Sequence, residues 1–458
     1  MLILLLLLLP LAANAQSLTW QQQTNTGSTW PGATGYSTNL YDPVTQKVLI
    51  PSVGPSNGSI FVNSIYECSI SPFLCSYASQ SGDPTTTGCR VQTSTMFGNA
   101  HPYRLWAIDT LRSRLFLAGG PNDSCNGIGD NPRQQFYYFS LNGDPNNDTW
   151  SQQDIMSTGL PTGCIAEGAM TYDSTNDIYM CYGGEYHHWV FCPTNSLSAN
   201  QTTAGCVTAK VWAEVSPSNG VVDLNGTAVT RVSGDSFDQV MKAGDQVFVR
   251  DGFYVIASIT NGNSMTLATA PSGGPHSNQN WYLTPLARAG VTLFHDTASQ
   301  QVIFYGAANN SGTATYNSIW GWSMLGKKWK HLALTGTQPT IDCIGTCNGD
   351  SVSNIGQSSV AFKQSTNQLF YHCVAGTACP QDWAYNTLTD AWTQLTASGT
   401  GPSLGRGAYM VFIPPCNCIV GYLAATGSGN EPQIWLGQIT GGGVSIGGRS
   451  SFGGAVSF

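Results

Sequence analysis

The most constraining feature of the sequence is a short motif that recurs along almost the whole chain. Each copy has an apolar residue, an Asp or a substitute, a few turn-like positions and then a run of β-forming residues, often ending in Gly. Such a copy predicts a strand, a tight turn and a second strand. The complete copies have Asp42, Asp109, Asp173 and Asp296 at the Asp position. Two degenerate copies place Gln364 and Pro414 there.

A second element follows most copies at a variable distance. It is a Trp that ends a hairpin and precedes polar residues, and its copies are Trp150, Trp212, Trp329 and Trp392. The two elements together predict a unit of four strands. The last unit lacks its Trp strand, whereas Thr19-Trp20-Gln21-Gln22 near the N-terminus looks like the missing strand. We therefore predict that residues 17–23 pair beside residues 432–439.

This pattern resembles the kelch motif, the blade unit of galactose-oxidase-like β-propellers, in its turn Asp, its Gly-Gly and its outer Trp. The last two units lack both the Asp and the Gly-Gly. The resemblance implies a ring in which one terminus completes the blade that the other begins, which removes the open sheet edge. We predict an all-β fold: a six-bladed kelch-like β-propeller closed by an N-terminal strand, with a small inserted β domain.

The spacing of the copies predicts the domain organisation. The copies at positions 173 and 296 are much farther apart than the others, and residues 218–284 between them lack the Asp–Gly–Gly–Trp set. These residues are short β runs separated by Gly and Asn turns, similar to small β modules of phage tail fibres and bacterial surface proteins. The predicted parts are a signal peptide at 1–15, the closing strand and blades 1–3 at 16–217, the inserted β domain at 218–284, blades 4–6 at 285–439 and a Gly-rich tail at 440–458.

The N-terminus and the cysteines predict an exported protein. A short Leu/Ile run precedes Ala13-x-Ala15, a small-residue cleavage site, which is typical of a secretory signal peptide. The chain has 14 Cys, and an even number in an exported protein predicts disulfide bonds. The candidate pairs close in sequence are Cys68 with Cys75, Cys192 with Cys206, Cys343 with Cys347 and Cys373 with Cys379; Cys416 and Cys418 are also close. We expect a secreted protein, either extracellular, periplasmic or on the cell surface.

Charge narrows the range of partners. Charged residues make up 9% of the chain and the net charge is −8, against about 25% charged residues in an ordinary domain. This composition argues against nucleic-acid binding, which requires a basic surface. No later apolar stretch is long enough to span a membrane. We expect a monomer whose partner is an extracellular glycan or a surface protein.

The candidate binding residues lie in the segments that lead into the innermost strands, called lead-in segments below. In propellers these segments gather on one face around the central channel. Here they carry His101, Arg104, Glu167, Arg288 and Arg406. Arginines that converge on one face can hold the carboxylate of an acidic sugar through charge-assisted hydrogen bonds. The alternative is that these arginines make hydrogen bonds between blades, as lead-in segments of kelch proteins often do.

Metal sites and catalytic sets are not evident. Galactose-oxidase-like enzymes bind copper through Tyr and His and carry a Tyr–Cys crosslink. Tyr186-His187, His188 and His101 are the nearest match, but we find no crosslink Cys or second Tyr, and residues 186–189 also read as a partly buried aromatic hairpin. Asp144-x-Asn146-x-Asp148 has the spacing of a calcium loop without its closing Glu. We predict no metal and no cofactor, and we assign no catalytic residue.

The absence of a convergent catalytic set favours a binding function. We predict a secreted binding or adhesion module for a glycan or a protein. The alternative is a secreted carbohydrate-active enzyme, either a galactose-oxidase-like oxidase or a lyase or hydrolase of acidic polysaccharide. A fold by itself does not choose between them.

Overall fold

The computed structural model describes most of the regular structure of the chain. The described residues are 16–23, 40–52, 55–56, 60–61, 64–70, 73–77, 106–118, 136–141, 150–153, 169–183, 187–285, 292–305, 319–339, 360–372, 382–398, 408–423 and 433–441. In these ranges the protein is all-β, apart from three short helical segments. None of the described helices is both long and apolar enough to cross a membrane.

The first half of the chain forms the N-terminal strand β1 (Ser17–Gln23) and three antiparallel four-stranded sheets. Sheet 1 consists of β2 (Leu40–Asp42), β3 (Lys47–Ser52), β6 (Ser64–Ile70) and β7 (Phe73–Tyr77), with a small ribbon of β4 (Pro55–Ser56) and β5 (Ile60–Phe61). Sheet 2 consists of β8 (Trp106–Asp109), β9 (Arg114–Ala118), β10 (Phe136–Ser140) and β11 (Trp150–Gln153). Sheet 3 consists of β12 (Ala169–Asp173), β13 (Ile178–Gly183), β14 (His187–Phe191) and β15 (Trp212–Glu214), with helix α1 (Ala199–Ala204) between its last two strands.

Residues 220–283 form a separate closed barrel of six strands. Its strands are β16 (Gly220–Asn225), β17 (Ala228–Gly234), β18 (Gln246–Val249), β19 (Gly252–Asn261), β20 (Ser264–Leu267) and β21 (His276–Leu283), and helix α2 (Phe237–Val240) follows β17. Alternate apolar side chains point inward, and Trp281 fills the centre without exposure to solvent. A closed barrel leaves no unpaired sheet edge.

The second half of the chain forms three further sheets. Sheet 4 consists of β22 (Thr292–Asp296), β23 (Gln301–Tyr305), β24 (Ile319–Ser323) and β25 (Lys328–His331). Sheet 5 consists of β26 (Val360–Lys363), β27 (Gln368–His372), β28 (Asp382–Asn386) and β29 (Ala391–Gln394). Sheet 6 has five strands, which are β30 (Thr396–Ser398), β1, β33 (Gln433–Thr440), β32 (Cys418–Leu423) and β31 (Ala408–Ile413). A one-turn 3₁₀ helix (Gln364–Thr366) follows β26.

The five four-stranded sheets are arranged like the blades of a propeller. Their first strands lie at the centre, where β2 contacts β8, β8 contacts β12 and β12 contacts β22. The contact between β22 and β26 is made by the rings of Phe294 and Phe362, whose centroids are 5.8 Å apart. The first strand of sheet 6, β31, contacts both β26 and β2. The all-β, propeller-like part of the fold expected from the repeat is therefore present.

The repeated Asp builds the turn after each innermost strand. Asp42, Asp109, Asp173 and Asp296 are buried, with at most 1% exposure. Asp42 accepts hydrogen bonds from the backbone of Val44 and Thr45, and the other three carboxylates accept similar bonds. These are Asx-type turns, in which a short side chain replaces a backbone partner.

The strand register corrects the alignment of the two degenerate copies. Asp296 pairs with Gln301, and the equivalent pairs in sheets 5 and 6 are Lys363 with Gln368 and Ile413 with Cys418. The Asp position is therefore held by Lys363 and Ile413, not by Gln364 and Pro414. A sequence alignment missed this because neither substitute resembles Asp, whereas the four-residue turn length is kept.

The same carboxylates also join neighbouring sheets. Asp109 of sheet 2 accepts a hydrogen bond from the Tyr179 hydroxyl of sheet 3 at 3.0 Å. Asp296 of sheet 4 accepts one from the Gln364 amide of sheet 5 at 3.1 Å and another from the Thr387 hydroxyl. The repeated Asp is thus buried because it serves both its own turn and the next sheet, which satisfies a charge that would otherwise be costly to bury.

Acid is expected to destabilise the fold, because two carboxylates that join neighbouring sheets, Asp296 and Asp177, have lowered pKa values. Burial alone would raise the pKa of Asp296, but hydrogen bonds from Thr387, Ser299 and the backbone of Ala298 outweigh it, so the pKa lies below its usual value. The pKa of Asp177 is likewise lowered, because hydrogen bonds from Arg112 and Tyr172 outweigh burial. A carboxyl group whose pKa is depressed in the folded state stabilises the fold above the unfolded pKa of about 4, and this contribution is lost as the pH falls through the folded value.

We therefore expect the free energy of unfolding to fall steeply below about pH 4. In Asp177→Asn the slope should be shallower, because one of the groups that must take up a proton is gone. Urea titrations at a series of pH values measure the slope. Asp238→Asn, an exposed change in the barrel, is the control and should keep the slope of the wild type. Equal slopes in all three proteins would contradict the assignment.

The repeated Trp packs sheets 3, 4 and 5 against the sheets that precede them, whereas the side chain of Trp150 in sheet 2 lies outside what the structure describes. Trp212 of sheet 3 lies in a cluster with Phe116 of sheet 2, and the ring of Trp329 of sheet 4 lies 5.7 Å from that of Tyr182 of sheet 3. Trp392 of sheet 5 lies 6.1 Å from Tyr305 of sheet 4. The outer Trp of the motif is therefore a wedge between sheets.

The N-terminal strand repeats this arrangement on sheet 6. β1 pairs antiparallel with β33, from Ser17 opposite Thr440 to Gln23 opposite Ile434, and its start pairs in parallel with β30. Trp20 packs in a cluster with Phe370 of sheet 5 and donates a hydrogen bond to Asp382 of the same sheet at 3.1 Å. Trp20 thus occupies the same place relative to sheet 5 as Trp392 does relative to sheet 4.

Disulfide bonds are present in the outer hairpins, as expected for an exported protein. Cys68 is joined to Cys75 across β6 and β7, where the two residues are direct antiparallel neighbours. Cys192 is joined to Cys206 across the loop that contains α1. That loop is further fixed by a capping box at Ser198 and by Gly205, whose φ of 117° favours glycine. Cys343, Cys347, Cys373 and Cys379 lie outside the described residues.

Candidate functional site

The five residues predicted to bind a ligand lie outside the described residues. They are His101, Arg104, Glu167, Arg288 and Arg406. The structure does describe the innermost strands that follow their lead-in segments, and these strands surround the central channel.

The channel contains a cavity of about 610 Å³ where the innermost strands of the six sheets meet. Each sheet contributes the residue directly before its repeated Asp position, so one register position forms a ring of six side chains. The ring residues are Tyr41, Ile108, Tyr172, His295, Phe362 and Phe412. Five of the six are aromatic or aliphatic and one is a histidine. The cavity has the size and the largely apolar wall of a small-ligand site, which typically spans about 300–1,000 Å³.

Hydroxyl and amide groups mark the turn end of the channel. The residue directly after the Asp position also lines the cavity in sheets 2 to 5, as Thr110, Ser174, Thr297 and Gln364. These positions lie in the turns, where the side chains reach solvent. Thr110 and Thr297 are exposed, whereas Ser174 and Gln364 are half-buried. The channel thus has an apolar wall with a polar rim, the combination that orients a ligand carrying both kinds of surface.

His295 is the only histidine among the described residues that line the channel. Its Nε2 lies 3.1 Å from Asp173 Oδ1 of the neighbouring sheet. Burial lowers the pKa of the imidazole, although the carboxylates of Asp173 and Asp296 act in the opposite direction. A pKa below 6.5 leaves the imidazole neutral at neutral pH, so that one ring nitrogen is a donor and the other an acceptor. The side chain is 6% exposed and Nε2 is buried against Asp173, so Nδ1 is the nitrogen that could hydrogen-bond an uncharged ligand.

The sequence analysis did not single out His295 or the ring. A signal was present, because the position before the Asp is Tyr41, Ile108 and Tyr172 in the first three copies and histidine only in the fourth. A polar residue at a position that is otherwise apolar in a repeat marks a local difference in function or packing. The hydroxyls at Thr110, Ser174 and Thr297 carry the same kind of positional signal, since each follows the Asp.

An arginine cluster joins sheets 2 and 3 beside the channel. Arg112 donates to Asp109 at 3.0 Å and makes two bonds to Asp177, at 2.8 and 2.6 Å. The hydroxyl of Tyr172 donates to Asp177 at 2.7 Å. Hydrogen bonds to Asp177 raise the pKa of Arg112 well above its usual value. Because every charge in the cluster is paired, Arg112 acts as a tie between sheets and not as a free anion-binding group.

His188, one residue of the Tyr186-His187-His188 segment, is a packing residue. It is buried between sheets 3 and 4, where its ring stacks on Trp322 with centroids 4.9 Å apart. Its Nε2 accepts a hydrogen bond from Trp329 Nε1. That nitrogen is therefore not open to a metal. Tyr186 and His101 lie outside the described residues.

The candidate copper ligands can be compared with the structure only in part, because Tyr186 and His101 lie outside the described residues. A search of them finds no group of three or more His, Cys, Asp or Glu side chains that could hold a metal ion. The segment Asp144-x-Asn146-x-Asp148 lies outside them.

A second, smaller cleft of about 300 Å³ separates the barrel from sheet 4. Lys328 of sheet 4 pairs with Asp235 of the barrel at 2.5 Å. Beside them the buried His331 imidazole lies 2.8 Å from Asp245 of the barrel. The Asn219 amide donates to the Trp329 carbonyl at 2.9 Å. These contacts hold the barrel on β25, the outer strand of sheet 4, so that this sheet edge is covered.

Comparisons with known proteins give structural likenesses without a match in sequence. No protein-family model matches the chain, and no curated protein matches it either. Among solved structures, a fungal alcohol oxidase of the AA5 family in complex with copper is similar, with a TM-score of 0.43 and 10% sequence identity. The likeness covers 92% of this chain and 75% of that one.

Proposed function

We propose that the six sheets are six blades of one kelch-like ring, and that β1 closes the ring by completing the sixth blade. Two observations support this. The innermost strands contact one another in the order of the chain, and β31 returns to β2. Trp20 of β1 packs on sheet 5 as the outer Trp residues of sheets 3, 4 and 5 pack on the sheets before them. Secretion after removal of residues 1–15 remains part of the proposal.

We propose further that this secreted protein binds an extracellular glycan at the lead-in face and in the channel behind it. The observation that carries the proposal is the ring of six side chains, in which aromatic groups surround one neutral imidazole. Aromatic faces suit the C–H face of a sugar ring, and the imidazole with the rim hydroxyls suits its hydroxyl groups. The cavity volume of about 610 Å³ is large enough for one sugar unit.

The innermost strands begin at the lead-in segments and end at the turns, so we expect the lead-in arginines at the opposite end of the channel from the rim hydroxyls. There they would hold the carboxylate of a separate unit of an acidic glycan. Arg288 and Arg406 precede the innermost strands of sheets 4 and 6 by only a few residues in the sequence. A bidentate arginine–carboxylate contact would contribute about 1.5–3 kcal/mol for each charged hydrogen bond. We therefore expect acidic glycans to bind more tightly than neutral glycans of the same size.

The test is a glycan array followed by calorimetry with the best ligand. His295→Phe keeps the size and the apolar surroundings of the ring position, because Phe362 and Phe412 already occupy it in sheets 5 and 6. We expect this change, and separately Arg288→Ala/Arg406→Ala, to weaken binding at least tenfold, or about 1.4 kcal/mol. Thermal melting checks that each variant is folded.

Matched substitutions on the barrel serve as controls. His276→Phe changes a histidine outside the channel, and Arg231→Ala/Arg250→Ala removes two barrel arginines. Both should leave binding unchanged. Full binding by His295→Phe and by Arg288→Ala/Arg406→Ala would remove the proposed site. Turnover of the glycan by the wild type would instead make the protein a carbohydrate-active enzyme, the alternative to a binding module.

A further inference from the structure

The turn between β31 and β32 contains a disulfide of unusual spacing. Cys416 is joined to Cys418, so that a single residue, Asn417, separates the two half-cystines. The turn lies at the end of the channel, where its Pro414 lines the cavity. In sheets 1 to 4 the corresponding turn is built on a buried Asp, whereas sheet 6 has Ile413 at that position.

Hydrogen bonds hold this turn without help from the disulfide. The Asn417 backbone N–H donates to the Pro414 carbonyl at 3.1 Å, and the Asn417 amide donates to the Ile439 carbonyl at 2.9 Å. Lys363 of sheet 5 donates to the Asn417 amide oxygen at 2.6 Å. The side chain of Gln438 donates to the Cys416 carbonyl at 3.1 Å. Asn417 thus does in sheet 6 what the Asp side chain does elsewhere, since it fixes the turn and links it to the neighbouring sheet.

The disulfide also contributes little by restricting the unfolded chain. That contribution grows with the length of the closed loop. Cys416–Cys418 spans a sequence separation of 2, against 14 for Cys192–Cys206. The bond is therefore poorly suited to be a stabilising crosslink. We infer that it has a role other than stabilisation.

Accessibility distinguishes it from the other disulfides that the structure describes. Both sulfurs are buried in Cys68–Cys75 and in Cys192–Cys206, with at most 3% residue exposure. In the short pair, Cys418 is buried but Cys416 is partly exposed in the turn. Cys416 is half-buried, with its Sγ 3.5 Å from the Ile413 carbonyl oxygen. We therefore expect a thiolate to reach Cys416 with less local opening than the other two bonds require.

We propose that Cys416–Cys418 is a thiol–disulfide exchange site for low-molecular-weight thiols. The thiolate attacks Cys416 Sγ, the bond to Cys418 Sγ breaks, and the electron pair leaves on Cys418, which takes a proton from solvent. A mixed disulfide then joins the small thiol to Cys416. A second thiolate attacks the sulfur of the bound thiol and releases Cys416, so that two small thiols are oxidised to a disulfide while the cysteine pair is reduced to two thiols.

The first test is selective reduction of the folded protein by glutathione. Samples are quenched with acid, alkylated and analysed by peptide mass spectrometry. We expect Cys416–Cys418 to be reduced at least tenfold faster than Cys192–Cys206, and the mixed disulfide to be on Cys416. In concentrated guanidinium the difference should largely disappear, because every disulfide is then accessible. Equal rates in the folded protein, or glutathione found on Cys418 in place of Cys416, would overturn the proposal.

A stability measurement separates exchange from a structural role. We expect Cys416→Ser/Cys418→Ser to leave the denaturation midpoint close to that of the wild type, while Cys192→Ser/Cys206→Ser lowers it clearly. If the loss in Cys416→Ser/Cys418→Ser equals or exceeds the loss in Cys192→Ser/Cys206→Ser, the disulfide is a structural crosslink and the proposal fails.

Discussion

Replacement of Trp20 by alanine is expected to lower the free energy of unfolding by about 3–5 kcal/mol, the range for removal of a large buried aromatic side chain. Trp20 is 6% exposed and packs between sheets 5 and 6 with Phe370, Phe412 and Ile439. Its indole N–H also donates to Asp382, and Asp382 in turn lies against the His372 imidazole. Truncation would therefore leave a cavity and also remove a hydrogen bond from a buried carboxylate. Urea or guanidinium unfolding followed by circular dichroism measures the change.

A matched change on the same strand tests whether the loss belongs to the indole. Gln22 pairs with Trp435 in the same strand register but is exposed, so Gln22→Ala should alter the free energy of unfolding by no more than about 0.5 kcal/mol. If Trp20→Ala loses less than about 1 kcal/mol, β1 does not close the ring and the six-blade proposal loses its main energetic support.

The sequence could predict those parts of the fold in which the same residue type has the same structural role in each repeat. The repeated Asp could be read because a buried carboxylate is needed to cap each turn and to join the next sheet. The outer Trp could be read because every sheet needs a wedge against its neighbour. The sequence analysis placed the Asp position of sheets 5 and 6 one residue too late, at Gln364 and Pro414 in place of Lys363 and Ile413. These two units keep the length of the turn but have no Asp by which the position could be recognised.

The candidate site was harder to predict, because its side chains come from six distant segments. Tyr41, His295 and Phe412 become neighbours around one cavity only when the innermost strands are brought together. In sequence each looks like an ordinary strand residue. The role of His188 was also hidden, since its engagement by Trp329 depends on contact between sheets 3 and 4. The predicted arginines, by contrast, lie in segments outside the described residues, so they remain a prediction.

The strand order of the barrel could not be predicted from the sequence pattern. Gly and Asn turns with alternating apolar residues indicated short strands over 218–284, but the pattern could not give the strand order β16-β17-β20-β19-β18-β21. Closure depends on which strands meet through long-range pairing, such as Val222 with Gln279. The attachment of the barrel to sheet 4 depends on single pairs such as His331 with Asp245. Such pairs cannot be predicted from a local sequence pattern.

Loss of the Asp109 carboxylate is expected to be as damaging as loss of Trp20. Asp109 is fully buried and accepts hydrogen bonds from Arg112 at 3.0 Å, from Arg114 at 2.9 Å and from the Tyr179 hydroxyl of the next sheet at 3.0 Å. Asp109→Ala would remove the shared acceptor of these three donors, of which Arg114 is half-buried and Arg112 is exposed. A hydrogen bond to a charged group contributes about 1.5–3 kcal/mol and a neutral one about 0.5–1.5 kcal/mol, so loss of all three is expected to cost about 3–5 kcal/mol.

Two further substitutions identify which property of the carboxylate matters. Asp109→Asn keeps the shape and one acceptor oxygen but removes the charge. Its free energy of unfolding should therefore fall less than that of Asp109→Ala. The control is Asp238→Ala, an exposed change in the barrel, which should cost no more than about 0.5 kcal/mol and less than Asp109→Asn.

Tyr179→Phe removes only the donor from sheet 3. It should lower the free energy of unfolding by about 0.5–1.5 kcal/mol, the net contribution of one hydrogen bond. If Asp109→Ala costs no more than Tyr179→Phe in denaturant titrations, the arginines find other partners and the repeated Asp is a turn residue alone. A loss several times larger would identify the Asp as a tie between sheet 2 and sheet 3, because Asp109→Ala removes one hydrogen bond from each of Arg112, Arg114 and Tyr179 together.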